Sequence, residues 1–176
     1  MRNIVLTGFM GTGKTSSGLL LAKKCGLAFV DTDDLVETLA GQSVKEIFEK
    51  KGEKYFRRLE KKIIAHVSGL SGLVVAAGGG VVVDPSNMKR LRKTGTVVAL
   101  VSKAEVIIKR VLKEGDKRPL LNQKTAKEKL KKVKVLLSKR LPLYTVSADY
   151  VLDTSCLTPE STAGKVLCLI KSKSGK

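Results

Sequence analysis

The chain has 176 residues, 43% of them apolar, which suits one folded domain with a proper core and is too apolar for disorder. No apolar run approaches the ~18 residues that a membrane-spanning helix needs. The first apolar strand starts almost at Met1, which leaves no signal peptide ahead of it, so a cytoplasmic protein without membrane partners is expected.

Lysine and arginine total 34 against 16 acidic residues, a net charge of +18. Such a field attracts polyanions. Yet the lysines are spread along helical stretches such as Lys127 to Lys139, Trp is absent, and the few aromatics are not interleaved with basic residues. A solvated basic face that draws in nucleotide and acidic metabolite fits better than a nucleic-acid stacking platform. Cys25, Cys156 and Cys168 have neither paired nor metal-ligand spacing, so free, mostly buried thiols are expected.

Taken in order, Ile4 to Leu6 reads as a short buried strand. Gly8-x-x-x-x-Gly13-Lys14-Thr15 follows, and Leu19 to Lys24 reads as a helix that stops at Gly26. That is the phosphate-binding loop pattern in its proper context, after a strand and before a helix. Gly8, Gly11 and Gly13 let successive N–H groups point into one concavity, and the helix adds its unpaired N–H groups and dipole. The nucleotide-binding stretch is therefore Gly11-Thr12-Gly13-Lys14-Thr15-Ser16. Lys14 reaches the β- and γ-phosphates, and the Thr15 hydroxyl can ligate Mg²⁺.

Leu27 to Val30 is a second strand, ending in Asp31-Thr32-Asp33-Asp34. Acids at the carboxyl end of a parallel strand face the ligand crevice of an open α/β sheet. Asp31 could stand near the metal and Asp33 could meet the group that receives the phosphoryl; alternatively Asp31 or Thr32 simply caps the helix from Leu35 to Ala40. Ser43-x-x-Glu46 is a capping box for the next helix. Gly52 interrupts it, and Glu53 to Val67 resumes with Phe56, Leu59, Ile63, Ile64 and Val67 as the buried stripe. Arg57 and Glu60 share one face, either as a pre-oriented fork for an anion or as a surface ion pair. His66, the only histidine, reads as a partly exposed helical residue.

Leu73 to Ala77 is a third buried strand, and Gly78-Gly79-Gly80 at its end implies close backbone approach to a ligand or another segment. Val81 to Val83 continues from it, and Ser86 is the expected cap of a helix through Leu91. Thr96 to Val101 is a fourth strand whose branched residues suit the sheet centre. Ala104 to Leu112 is helical and carries Arg110. Lys113 to Lys124 reads as a lid loop, in which Arg118 either reaches the transferred phosphoryl or faces solvent. Thr125 to Leu141 is a long basic helix that Pro142 ends or kinks, with Arg140 near its end and Tyr144 four residues on. Ala148 to Asp153 is the fifth strand. Thr158-Pro159-Glu160 opens a last helix to about Ile170, followed by a frayed tail.

Five strands alternating with helices imply one α/β domain over 1–176, a five-stranded parallel sheet flanked by helices. Acceptor-binding helices span about 32–67 and the lid about 113–124. The loops after the first three strands converge, so Mg-nucleotide faces a site holding Asp33, Arg57, Arg140 and the glycines. One carboxylate beside two arginines suits a small acceptor with a hydroxyl and an anionic group, which favours a small-molecule kinase over a GTPase switch. Rival readings are a kinase of another acceptor, such as gluconate or a nucleoside monophosphate, and a nucleotide-gated nucleic-acid-binding module.

The motifs together resemble the shikimate kinase family, part of the nucleoside-monophosphate-kinase-like group of P-loop folds, along nearly the whole chain. The resemblance rests on the phosphate loop, Asp31-Thr32-Asp33, Gly52-Glu53-x-x-Phe56-Arg57-x-x-Glu60, Gly78-Gly79-Gly80, Arg118-Pro119-Leu120-Leu121 and Arg140-x-x-x-Tyr144. It implies ATP-dependent phosphorylation of the shikimate 3-hydroxyl by a monomer that uses ATP and Mg²⁺ and has no specific nucleic-acid partner. It also implies roles. Thr15 and Asp31 serve the metal, and Lys14, Asp33 and Arg118 serve catalysis. Asp33, Arg57, Gly79, Gly80 and Arg140 bind shikimate, with Glu60 steadying Arg57. Arg110 packs on adenine, near a loop at Thr154 to Pro159, and Arg118 closes on ATP. Ala77 departs from the family, where a small hydroxyl residue often precedes the glycines.

Overall fold

A computed structural model describes residues 2–114 and 125–174. The elements run β1 (Asn3–Gly8), α1 (Lys14–Cys25), β2 (Ala28–Asp31), α2 (Thr32–Ala40), α3 (Val44–Val67), β3 (Leu73–Ala76), a 3₁₀ turn (Val81–Val83), α4 (Pro85–Thr94), β4 (Gly95–Val101), α5 (Ala104–Glu114), α6 (Ala126–Ser147), β5 (Tyr150–Asp153) and α7 (Pro159–Ser174). The strands form one parallel sheet in the order β2-β3-β1-β4-β5. Among the described residues no helix is long and apolar enough to cross a membrane.

Alternation along each strand splits the core into two layers. Val5, Val75, Val97 and Ala99 pack on one face with Ile63, Ile64, Leu91 and Ile107 from α3, α4 and α5. Ile4, Leu6, Val74, Val98 and Leu100 pack on the other with Leu21 of α1 and Val166 of α7. Both faces of β1, β3 and β4 are thus covered, as their unbroken apolar runs require. The chain leaves β1 towards β2 and β3 on one side and later returns to β4 on the other. The crevice of this parallel sheet therefore opens at the carboxyl end of β1, where the phosphate-loop sequence lies.

Several expectations change. β1, not the fourth strand, lies at the centre; β4 flanks it and is buried except at Thr96 and Val101, which are half-buried. Val81 to Val83 does not extend β3. Val81 N–H donates to Gly78 O and Val83 N–H to Gly80 O, so the glycine run turns the chain into a 3₁₀ turn while Val81 stays in the core. The cap of α4 is Asp84, whose side chain accepts from Ser86 N–H, with Pro85 in the first turn. α6 runs through Pro142 to Ser147, and the Thr145 hydroxyl donates to the Leu141 and Pro142 carbonyls. Cys156 and Cys168 are exposed and Cys25 half-buried, so the thiols are free but not mostly buried. The capping box at Ser43 and Glu46 forms, and Gly52 breaks α3 with φ 77°. The lid expectation, Arg118 included, falls outside the described residues.

Candidate active site

The phosphate loop is shaped by backbone that favours glycine at three points, Gly8, Gly11 and Gly13, all at positive φ. A Cβ on Gly8 would strike the Leu100 carbonyl, and Gly13 precedes α1 at φ 92° in the left-handed region. Lys14 folds back over the loop, its Nζ donating to the carbonyls of Gly8 at 2.9 Å and Phe9 at 3.0 Å. Ser17 N–H bonds to Gly13 O, so the helix starts within the motif itself rather than at Leu19. Thr12 is buried, and its hydroxyl donates inward to Phe9 O at 2.7 Å. Its backbone N–H turns to the same carbonyl, at 3.4 Å.

Two oxygen donors stand together beside the loop. The Thr15 hydroxyl donates to Asp31 Oδ2 at 2.8 Å, while Asp31 Oδ1 accepts from Asp33 N–H at 3.0 Å. Asp31 therefore caps α2 and faces Thr15 at once, so the two readings of this acid are compatible. Asp34 lies on the same wall, and burial, then Asp31 and Glu37, push its carboxyl upward. A cleft of about 430 Å³ runs between Gly11, Gly13 and Lys14 on one side and Asp31, Asp33, Gly78 and Gly79 on the other.

Gly78 to Gly80 join this cleft to the arginines. Gly78 N–H donates to the Thr32 hydroxyl at 2.8 Å. A Cβ on Gly78 would run into the Asp33 carboxylate, and one on Gly80 would run into the Arg57 guanidinium. One on Gly79 would lie 3.5 Å from Gly8 O and 3.6 Å from Met10 N in the phosphate loop. The Gly79 carbonyl accepts from Arg140 Nη1 at 3.1 Å and from the Tyr144 hydroxyl at 2.6 Å. Thus Asp33, Arg57, Arg140 and the phosphate loop all meet on one glycine run. Gly80, Arg57 and Arg140 stand beyond the Gly78–Gly79 wall rather than on the cleft lining itself.

The electrostatics follow from burial. Glu60 is 1% exposed. Burial pushes its carboxyl up to about 7 against the pull of Arg57, with Asp33 adding to the rise and Arg140 opposing it. Burial works against the Arg57 charge, but Glu60 and Glu53 outweigh it and hold the guanidinium firmly protonated. Tyr144, also buried, is pushed well above the usual phenol range, so its hydroxyl is a permanent donor to Gly79.

Arg110 does not line the cleft. Its guanidinium bonds to Gly11 O at 3.2 Å, Thr154 O at 2.7 Å and Leu157 O at 3.4 Å, and the Thr154 hydroxyl donates to Thr12 O at 3.0 Å. These bonds clamp the phosphate loop to the 154–157 turn. Tyr144 shapes the site with no role assigned to it from sequence alone, its one signal being its position a helical turn after Arg140. Thr32 is an alternative helix cap by sequence, and Thr154 opens the adenine-side loop.

The family model described as shikimate kinase matches residues 10–171. The chain is 48% identical to the shikimate kinase of Caldanaerobacter subterraneus subsp. tengcongensis over 167 residues, covering 95% of each chain. It is 47% identical to that of Thermodesulfovibrio yellowstonii, covering 95% of this chain and 94% of the relative. Among solved structures, the shikimate kinase from Acinetobacter baumannii in complex with shikimate superposes with a TM-score of 0.94 at 35% identity, over 100% of this chain and 96% of that one. With the family match running from within the phosphate loop to beyond the arginine-lined glycine run, the chain belongs to the shikimate kinase family.

Proposed function

We propose that the cleft is where this chain performs the reaction of its family, with the residues grouped around Gly78 to Gly80 as its acceptor site. The reaction is ATP-dependent phosphorylation of the shikimate 3-hydroxyl, giving shikimate 3-phosphate and ADP, a step of aromatic biosynthesis. The observation that carries the assignment of residues is the meeting of Asp33, Arg57 and Arg140 on a glycine run that also touches the phosphate loop.

In this reading the loop N–H groups of Gly11 to Ser16 and the Lys14 ammonium hold the phosphates of ATP. Arg57 and Arg140 bind the shikimate carboxylate, and Gly79 and Gly80 allow the ring to approach the backbone. Asp33 accepts the proton of the 3-hydroxyl as its oxygen attacks the γ-phosphorus; the bond to the ADP oxygen breaks, and the proton stays on the carboxylate. Lys14 and, from the lid, Arg118 offset the charge on the transferred group. Arg110 and the 154–157 turn border the adenine side. Thr15 and Asp31, already paired at 2.8 Å, are hard oxygen donors that fit Mg²⁺. When bound, it supplies Lewis-acid neutralisation of phosphate charge.

We read the chain as a single cytoplasmic kinase domain acting as a monomer. The test is ADP release from Mg-ATP with and without shikimate. Shikimate-dependent ADP is expected, and its absence overturns the assignment.

A further inference from the structure

A second hollow, of about 470 Å³, opens between α4 and the C-terminal part of α6 and shares no residue with the phosphate cleft. Pro85, Met88, Lys89 and Arg92 form its α4 wall at helical spacing, and Leu143 and Val146 face them from α6. Val146 is 81% exposed and Leu143 41%, so this wall keeps apolar surface in water that an occupant would remove. Lys89 and Arg92 have no acidic partner among the described residues, and like charges at this spacing repel. From Pro85 to Arg92 the wall changes from apolar to cationic over about 10 Å of helix.

We propose that this hollow is a binding site for a small aromatic carboxylate. The ring lies between the Met88 and Val146 walls, and the carboxylate sits on Lys89 and Arg92. The volume is that of a small-molecule site. The charge complementarity comes from an arginine fork one helical turn from a lysine, with no acidic partner among the described residues, beside the apolar Leu143 and Val146. A neutral ring would leave both cations unmatched, and a simple anion would leave Val146 in water.

The methionines make the test clean. The chain has three, and Met10 lines the phosphate cleft while Met88 lines the hollow. Full-length protein labelled with ¹³C-methyl methionine is titrated with 4-hydroxybenzoate, and Met88→Leu identifies the Met88 resonance. A saturable shift of the Met88 methyl with Met10 unmoved is expected. Binding should weaken by about tenfold to a hundredfold in Lys89→Glu/Arg92→Glu, and by a similar factor for 4-hydroxybenzyl alcohol, which lacks the charge. A shift at Met10 alone, no saturable shift at Met88, or unchanged binding in the double variant overturns the proposal. So does a concentration-dependent rise in molecular mass without probe binding, which would give this face to a second copy of the chain. None of these readouts depends on turnover, so the proposal can fail without the kinase assignment failing.

Discussion

Arg57 holds Glu60 through a single nitrogen: Nη1 lies 2.8 Å from one carboxylate oxygen and 2.9 Å from the other. Its Nε and Nη2 hold Glu53, so the guanidinium is fixed from both edges while it packs against Gly80. A cation held this rigidly presents its remaining donor capacity at little further entropic cost. Arg57→Ala is expected to lower kcat/KM for shikimate by about tenfold to a hundredfold, the loss of one charge-assisted contact of ~1.5–3 kcal/mol. The KM for Mg-ATP should stay unchanged. Steady-state kinetics with each substrate varied in turn checks the split, and equal losses for both would place the acceptor elsewhere.

Glu60 makes stability depend on pH in a predictable direction. Its carboxyl rises from an ordinary 4.5 to about 7 in the folded chain. The native state therefore binds this proton more tightly than the unfolded state. The resulting stabilisation is complete below pH 4.5, is lost as pH rises through 7, and stays lost above it. Urea unfolding of the wild type and Glu60→Gln at several pH values from 5 to 8 tests this. The wild type should lose stability relative to the variant across that window. The opposite slope would mean that pairing with Arg57 outweighs burial.

The Thr15–Asp31 pair predicts a metal-specific defect. Thr15→Ala removes one of the two oxygens and should raise the Mg²⁺ concentration needed for half-maximal rate. Thr15→Ser, which keeps the hydroxyl, should restore it. A drop in rate that Mg²⁺ cannot relieve and Ser cannot rescue would argue against a metal role.

Arg110 predicts the converse of Arg57. Its bonds to Gly11, Thr154 and Leu157 clamp the phosphate loop to the 154–157 turn. Arg110→Ala should raise the KM for ATP by about tenfold, as expected from losing ~1–2 kcal/mol of positioning, and leave shikimate KM alone. Isothermal titration with ADP gives the same answer without turnover.

Much of this arrangement is readable from short-range rules. The phosphate loop and the Ser43 capping box are local, since each needs only residues a few positions apart. The Arg57–Glu60 pair was legible as a pair, but spacing alone could not tell a surface bridge from a buried one; that depends on α3 packing its Glu60 face inward. The valines at 81–83 look like strand by composition, and only the hydrogen bonds across the glycine run show that they turn. Pro142 looks like a stop, yet the packing of Tyr144 on the Gly79 carbonyl lies beyond it on the same helix. The carbonyl partners of Arg110 lie 44 or more positions away in sequence. Contacts of that separation leave no periodic trace.

The glycine run has a consequence for protein engineering. Gly78 and Gly80 have no slack: the space a methyl would need is already taken by Asp33 and by Arg57. This side of the pocket can neither be filled to admit a smaller acceptor nor reshaped by point changes without displacing the groups that select one. New acceptor scope has to come from changes that leave this run, and the two side chains against it, in place.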